Sequence, residues 1–112
     1  MTLSLTNSVK NILMPKPIIW SGLSENDFAN ILDYLDKTWG PKVATDFIDL
    51  TENIVNQISI NPKQFPICYK RKKVRKCVLT KHNTIFYRDG KTDVEILRIY
   101  DTRQDPNNLT FE

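Results

Sequence analysis

The sequence predicts an α+β fold: an N-terminal strand, a two-helix hairpin, then a three-stranded antiparallel sheet. Three observations carry this. Apolar residues recur at helical spacing from Phe28 to Ile58, then give way to β-branched and aromatic runs after Tyr69. Gly40-Pro41 breaks the helical stretch once. Asp89-Gly90 stands between two strand-like runs, a strong hairpin signal.

Residues 1–13 show no cap and no periodicity, so they are expected to form a poorly ordered tail. Met14 is an alternative natural start, which leaves 14–112 as one domain. Pro15 and Pro17 favour extended backbone, and Ile18-Ile19-Trp20 reads as a short strand.

Ser24 with Asp27 forms a weak capping box, and Phe28, Ile31, Leu32 and Leu35 fall on one stripe of a first helix that stops near Gly40. Pro41 suits the first turn of a second helix. In that helix Val43, Ala44, Phe47, Ile48, Ile54, Val55 and Ile58 make the apolar stripe, with Asp46, Asp49 and Glu52 outward. Asn61-Pro62 ends it.

Tyr69 to Thr80 reads as one strand, Lys81-His82-Asn83 as a turn, Thr84 to Arg88 as the next strand, and Val94 to Tyr100 as the last. Strict alternation on the last strand puts Leu97 and Ile99 on one face and Ile96, Arg98 and Tyr100 on the other. One face is expected to pack the helices and the other to meet a partner. Leu109 and Phe111 are expected to tuck back onto the body.

Two cysteines, Cys68 and Cys77, with His82 nearby, complete no tetrahedral metal set, so neither metal nor cofactor is expected. No apolar run approaches the roughly 20 residues that span a bilayer, and no signal peptide is legible. A cytoplasmic protein with reduced thiols is the expectation. The net charge is +3, but its halves oppose each other. From Ser24 to Ile60 seven acids face Lys37 and Lys42, about −5; from Lys70 to Arg103 eleven basic residues face four acids, about +7. A basic sheet implies an anionic partner or a solvated edge.

The order of elements, with Tyr34 before Trp39-Gly40, then Ala44, Phe47, Ile54, Ile58, Pro62 and Phe65-Pro66, resembles the helical-hairpin half of the RelE/ParE toxin superfamily. Val74-Arg75, Ile85-Phe86-Tyr87-Arg88 and Ile96-Leu97-Arg98-Ile99, followed by Asp101-Thr102-Arg103-Gln104, resemble its closing strands. The resemblance covers roughly Pro17 to Leu109 and implies the toxin of a bacterial type II toxin–antitoxin pair. Such toxins inhibit growth, serve plasmid stabilisation, and are held inactive by a cognate antitoxin whose segment covers hairpin and sheet.

Within that superfamily, RelE-like members are ribosome-dependent endoribonucleases and ParE-like members inhibit DNA gyrase. RNA cleavage needs a group to accept the 2′-hydroxyl proton, one to protonate the leaving oxygen, and cations around the phosphate. The resemblance puts Arg75 and Arg103 at positions of phosphate-binding arginines, although both equally suit a solvated rim or antitoxin carboxylates. His82 is the lone histidine, yet a hairpin tip is poorly preorganised, and where the family carries a C-terminal catalytic Tyr or His this chain offers Phe111.

Tyr100 beside Arg98, and Tyr87 beside Arg88, suit nucleic acid as well as a half-buried strand. Arg75, Arg88, Arg98, Tyr100 and Arg103 are therefore the expected target-binding residues. The missing C-terminal Tyr or His, together with the Trp39-Gly40 helical junction, favours the ParE-like branch, with DNA gyrase as target. The alternatives are a ribosome-dependent mRNA endoribonuclease using Arg75, Arg103 and Tyr100, and an inert toxin-like nucleic-acid-binding module.

Overall fold

The computed structural model describes residues 15–112; the expected tail and the alternative start at Met14 lie outside the described residues. Strand β1 (Ile18–Trp20) is followed by helices α1 (Gly22–Trp39) and α2 (Pro41–Ile60), a short 3₁₀ turn (Pro62–Gln64), and strands β2 (Ile67–Tyr69), β3 (Val74–Thr80), β4 (Asn83–Asp89) and β5 (Val94–Asp101). The α+β reading therefore holds, but the strands assemble into one five-stranded sheet of order β1-β5-β4-β3-β2. β1 joins it parallel to β5, and the other pairings are antiparallel.

The extra strand arises because the run from Tyr69 to Thr80 is not continuous. Lys70 to Lys73 form a turn closed by the Lys73 amide donating to the Lys70 carbonyl at 3.2 Å, and Lys73 takes φ 54. Four consecutive cations would repel one another along a ladder, whereas a turn exposes them all to water.

The N-cap of helix α1 lies three residues before the expected Ser24. Ser21 is the N-cap: its hydroxyl accepts from the Ser24 amide at 3.0 Å and donates to the Leu97 carbonyl at 2.8 Å, tying helix start to sheet. Ser24 is buried in the first turn and Asp27 does not cap. Gly40 sits between the helices at φ 97, a value that favours glycine, and its amide closes the last turn of α1. Pro41 opens α2 as expected.

The helices cover one face of the sheet. Phe47, Val55 and Ile58 of α2 pack with Cys77, Leu79, Ile85, Tyr87, Val94, Ile96 and Ile99, flanked by Phe28, Ile31, Leu32, Leu35 and Ile54. Each fully buried side chain of this size contributes about 1.5–3 kcal/mol, which makes this layer the main source of stability. Phe47 and Ile54 thus face the sheet as expected, but Val43, in the first turn of α2, remains 39% exposed.

Alternation along β5 is interrupted. Ile85 pairs with Ile99 and Phe86 with Arg98, but Tyr87 pairs with Ile96, so Leu97 is an extra residue in a β-bulge. The bulge corrects the expected faces: Ile96 and Ile99 both meet the helices, while Leu97 and Tyr100 share the opposite face. That second face is not open to a partner as expected. Val74, Phe86, Leu97 and Tyr100 form a small core there, closed by Cys68, Leu109 and Phe111, so the C-terminal segment does tuck back. Phe111 lies 5.5 Å from the Tyr69 ring and 5.7 Å from that of Phe86.

The hairpin at Asp89-Gly90 is longer than a two-residue turn. Asp89 pairs with Val94, and the intervening loop is held by the Gly90 amide donating to the Asp93 carbonyl at 2.8 Å. A Cβ at Gly90 would stand 2.9 Å from that same carbonyl oxygen, so the close approach requires glycine.

Candidate functional site

The helical hairpin and the sheet do not meet along their whole length. Where α1 and α2 join, they diverge from the β3–β4 turn and the end of β5, leaving a groove of about 720 Å³. One wall is apolar and helical: Tyr34, Leu35 and Trp39 from α1, and Val43, Phe47 and Leu50 from α2. The other wall is polar: Thr80, His82 and Asn83 at the turn, then Arg98 to Asp101, Arg103 and Gln104.

The apolar wall departs from the usual burial rule. Trp39 is 67% exposed and Tyr34 51% exposed, side by side with half-exposed Val43 and Leu50. Isolated exposed apolar residues are ordinary, but a contiguous aromatic and aliphatic wall marks a contact surface. Tyr34 and Trp39 lie off the Phe28-Ile31-Leu32-Leu35 stripe of α1, and that displacement is the one signal the sequence offers for them.

Arg98 forms the floor. Its guanidinium donates twice to Asp27, and the Ile99 amide donates to the same carboxylate at 3.0 Å. These bonds to Asp27 raise the Arg98 pKa above its ordinary value. The Thr110 carbonyl accepts from Arg98 Nη1 at 2.8 Å, and the guanidinium carbon stands 5.5 Å from the centre of the Tyr100 ring. Tyr100 is buried, and its hydroxyl donates to the Asp105 carbonyl at 2.7 Å.

Arg103 forms the rim, bound bidentately to Asp101 at 3.0 and 2.8 Å. That hydrogen bonding, ahead of any other cause, holds the Asp101 carboxyl below the usual carboxylate range. His82 lies in the turn as expected, and its carbonyl accepts from the Thr102 amide at 2.8 Å.

Of the five expected target-binding residues, the groove gathers Arg98, Tyr100 and Arg103. Arg75 is elsewhere, near the start of β3, with Nη1 donating to the Phe65 carbonyl at 2.7 Å. Thr80, which lines the groove, is five residues further along the same strand, roughly 16 Å at strand rise. Arg88 belongs to neither place; it donates to the Lys72 carbonyl at 2.9 Å and pairs with Glu95 at 3.3 Å. Asp27, which orders Arg98, escapes sequence reasoning as a site residue because it lies 71 positions away.

Among the described residues, no group of three or more His, Cys, Asp or Glu side chains is arranged to hold a metal, and no helix is long and apolar enough to cross a membrane.

Comparison with known proteins agrees with this architecture. A family model described as the ParE toxin of the type II toxin–antitoxin system parDE matches residues 18–106. Among solved structures, a chain of the chromosomal ParDE toxin–antitoxin system from P. aeruginosa superposes with a TM-score of 0.60 at 19% identity. The superposition covers 80% of this chain and 97% of the other, a likeness of fold. No curated protein matches in sequence.

Proposed function

This chain belongs to the ParE toxin family of type II toxin–antitoxin systems, and from that premise we propose that it arrests growth by binding DNA gyrase in the cytoplasm, with its groove occupied by a cognate antitoxin segment when silent. The observation that carries the non-hydrolytic reading is the state of the three residues an RNA-cleaving site would use. The Tyr100 phenol is buried and committed to the Asp105 carbonyl, Arg103 is matched by Asp101, and Arg75 stands roughly 16 Å along the sheet from the groove. Proton transfer needs a donor within hydrogen-bond reach of the reacting oxygen, and phosphate stabilisation needs cations converging on one point. This arrangement supports binding rather than bond cleavage.

The groove supports the antitoxin part of the reading. An amphipathic segment laid between the hairpin and β5 would place its apolar side on Tyr34, Trp39, Val43 and Leu50 and its polar side along the Arg98–Gln104 wall. The functional test is a supercoiling assay with purified toxin. Inhibition of gyrase, reversed by the product of the adjacent gene, is the expected result; unaffected gyrase at saturating toxin, with mRNA cut in toeprinting of translating ribosomes, would overturn it.

A further inference from the structure

We propose that a second, cationic cleft at the far end of the sheet docks the phosphodiester backbone of duplex DNA. The proposal rests on the gyrase reading, because an inhibitor of gyrase meets its target on DNA.

The cleft, about 340 Å³, lies between the start of β3 and the β4–β5 loop. Lys16, Lys63, Lys73, Arg75 and Lys91 line it against Asp89 alone, five positive charges to one negative. Asp89 is already committed, since Lys16 Nζ donates to it at 2.7 Å and to the Gly90 carbonyl at 2.8 Å. Among the described residues, Lys63, Lys73, Arg75 and Lys91 have no carboxylate within ion-pair distance. The groove end of the molecule is the reverse, with Arg98 and Arg103 each matched by a carboxylate. The positive surplus of the sheet is thus concentrated at one end, where it attracts polyanions and releases their counterions on binding.

The lining points to backbone phosphates of a duplex. Ile67 is its one apolar side chain among the described residues, and it carries no aromatic ring on which an unpaired base could stack. It equally lacks the apolar pockets that the remaining side chains of an acidic peptide would need. Lysines act as point charges on phosphate and read no base sequence, so the contact is sequence-independent. Arg75 keeps donors in reserve for phosphate. Its Nη1 is anchored on the Phe65 carbonyl, while among the described residues Nε and Nη2 make no hydrogen bond. The adjoining exposed turn, Lys70-Arg71-Lys72-Lys73, extends the positive rim.

The test is fluorescence anisotropy of a short labelled DNA duplex titrated with the whole purified chain over a range of salt. Lys73→Gln with Lys91→Gln should weaken binding about tenfold and lower the slope of log K against log salt by about 1 to 2, and Arg75→Gln should weaken it similarly. Neither lysine makes an ion pair among the described residues, so loss of fold does not confuse the result. Lys37→Gln with Lys42→Gln removes the same charge from the hairpin and should leave the slope unchanged. Absence of duplex binding, equal losses in the hairpin pair, or tighter binding of single-stranded RNA or polyglutamate would overturn the proposal. Supercoiling assays on the same proteins separate the two claims. Gyrase inhibition without duplex binding removes the cleft alone, and duplex binding with gyrase untouched removes the gyrase reading alone.

Discussion

Arg98 on β5 grips Asp27 on α1 through two parallel hydrogen bonds, Nε to Oδ2 at 2.7 Å and Nη2 to Oδ1 at 2.9 Å, with both side chains only 13% exposed. The pair is geometrically matched, and the Ile99 amide fills a further lone pair of the carboxylate, so little polar capacity is left unsatisfied. It joins the first helix to the last strand and, through Thr110, to the C-terminal segment. Removing one partner strands the other in a poorly solvated place. Asp27→Asn should cost about 3 kcal/mol in urea unfolding, and Arg98→Met with Asp27→Leu together should cost less than the sum of the single changes. A loss below about 1 kcal/mol for Asp27→Asn would show that water reaches the pair freely.

Two buried acids set the alkaline limit. Burial pushes the Cys77 thiol up to about 11 from its ordinary 9.0, and the Tyr87 phenol up to about 12 from 10.0. Above pH 9 the unfolded chain therefore holds fewer protons than the folded one, and stability falls as pH rises towards the folded values. Below pH 9 their contribution is fully present. Denaturation series should give a flatter profile between those limits for Cys77→Ala with Tyr87→Phe than for the parent chain. At neutral pH Tyr87→Phe should itself cost about 1 kcal/mol, because its hydroxyl donates to the Pro62 carbonyl. An unchanged alkaline profile would contradict the assignment.

The apolar wall predicts where stability and binding part company. Trp39→Ser removes an exposed ring and should leave the unfolding midpoint within about 0.5 kcal/mol of the parent. Affinity for the cognate antitoxin, measured by calorimetry, should drop by about 2 kcal/mol or more, as for a central aromatic anchor. Unimpaired antitoxin binding by Trp39→Ser and Tyr34→Ser would move the antitoxin elsewhere on the surface.

The small second core predicts the role of the C-terminal segment. Phe111→Ala removes the ring that meets both Tyr69 and Phe86 and should cost about 1–2 kcal/mol. The variant should also bind a hydrophobic dye in its native state, since Leu97 and Phe86 lose their cover. Full retention of stability would mean that the segment is an ornament of the fold.

Whatever depends on local periodicity is legible in the sequence. The helical stripe, the Gly40-Pro41 junction and the Asn61-Pro62 stop each act within a few residues, so they can be read directly. The bulge at Leu97 cannot, because one inserted residue leaves composition unchanged while reversing every side chain beyond it. Ile96 and Ile99, three apart and both inward, are the trace it leaves. Ser21 is hidden as a cap because Ser24 offers the better local pattern, and the choice between them is made by the Leu97 carbonyl, a partner 76 positions distant. Most of the site escapes for the same reason. Arg98, Tyr100 and Arg103 stand out as candidates, but their engagement by Asp27, Asp105 and Asp101, and the separation of Arg75 from them, are properties of the assembled sheet.

The parallel pairing of β1 with β5 imposes a timetable on synthesis. Ile18 finds its place only beside Val94, so an emerging chain carries its first strand unmated until nearly all of the domain has been translated. Closing so long a loop is slow, and the hairpin, assembled from neighbours in sequence, is ready well before the sheet completes. The polar wall of the groove is completed by β5 and the residues just after it, so a half-made toxin offers its aromatic wall first and the finished groove last.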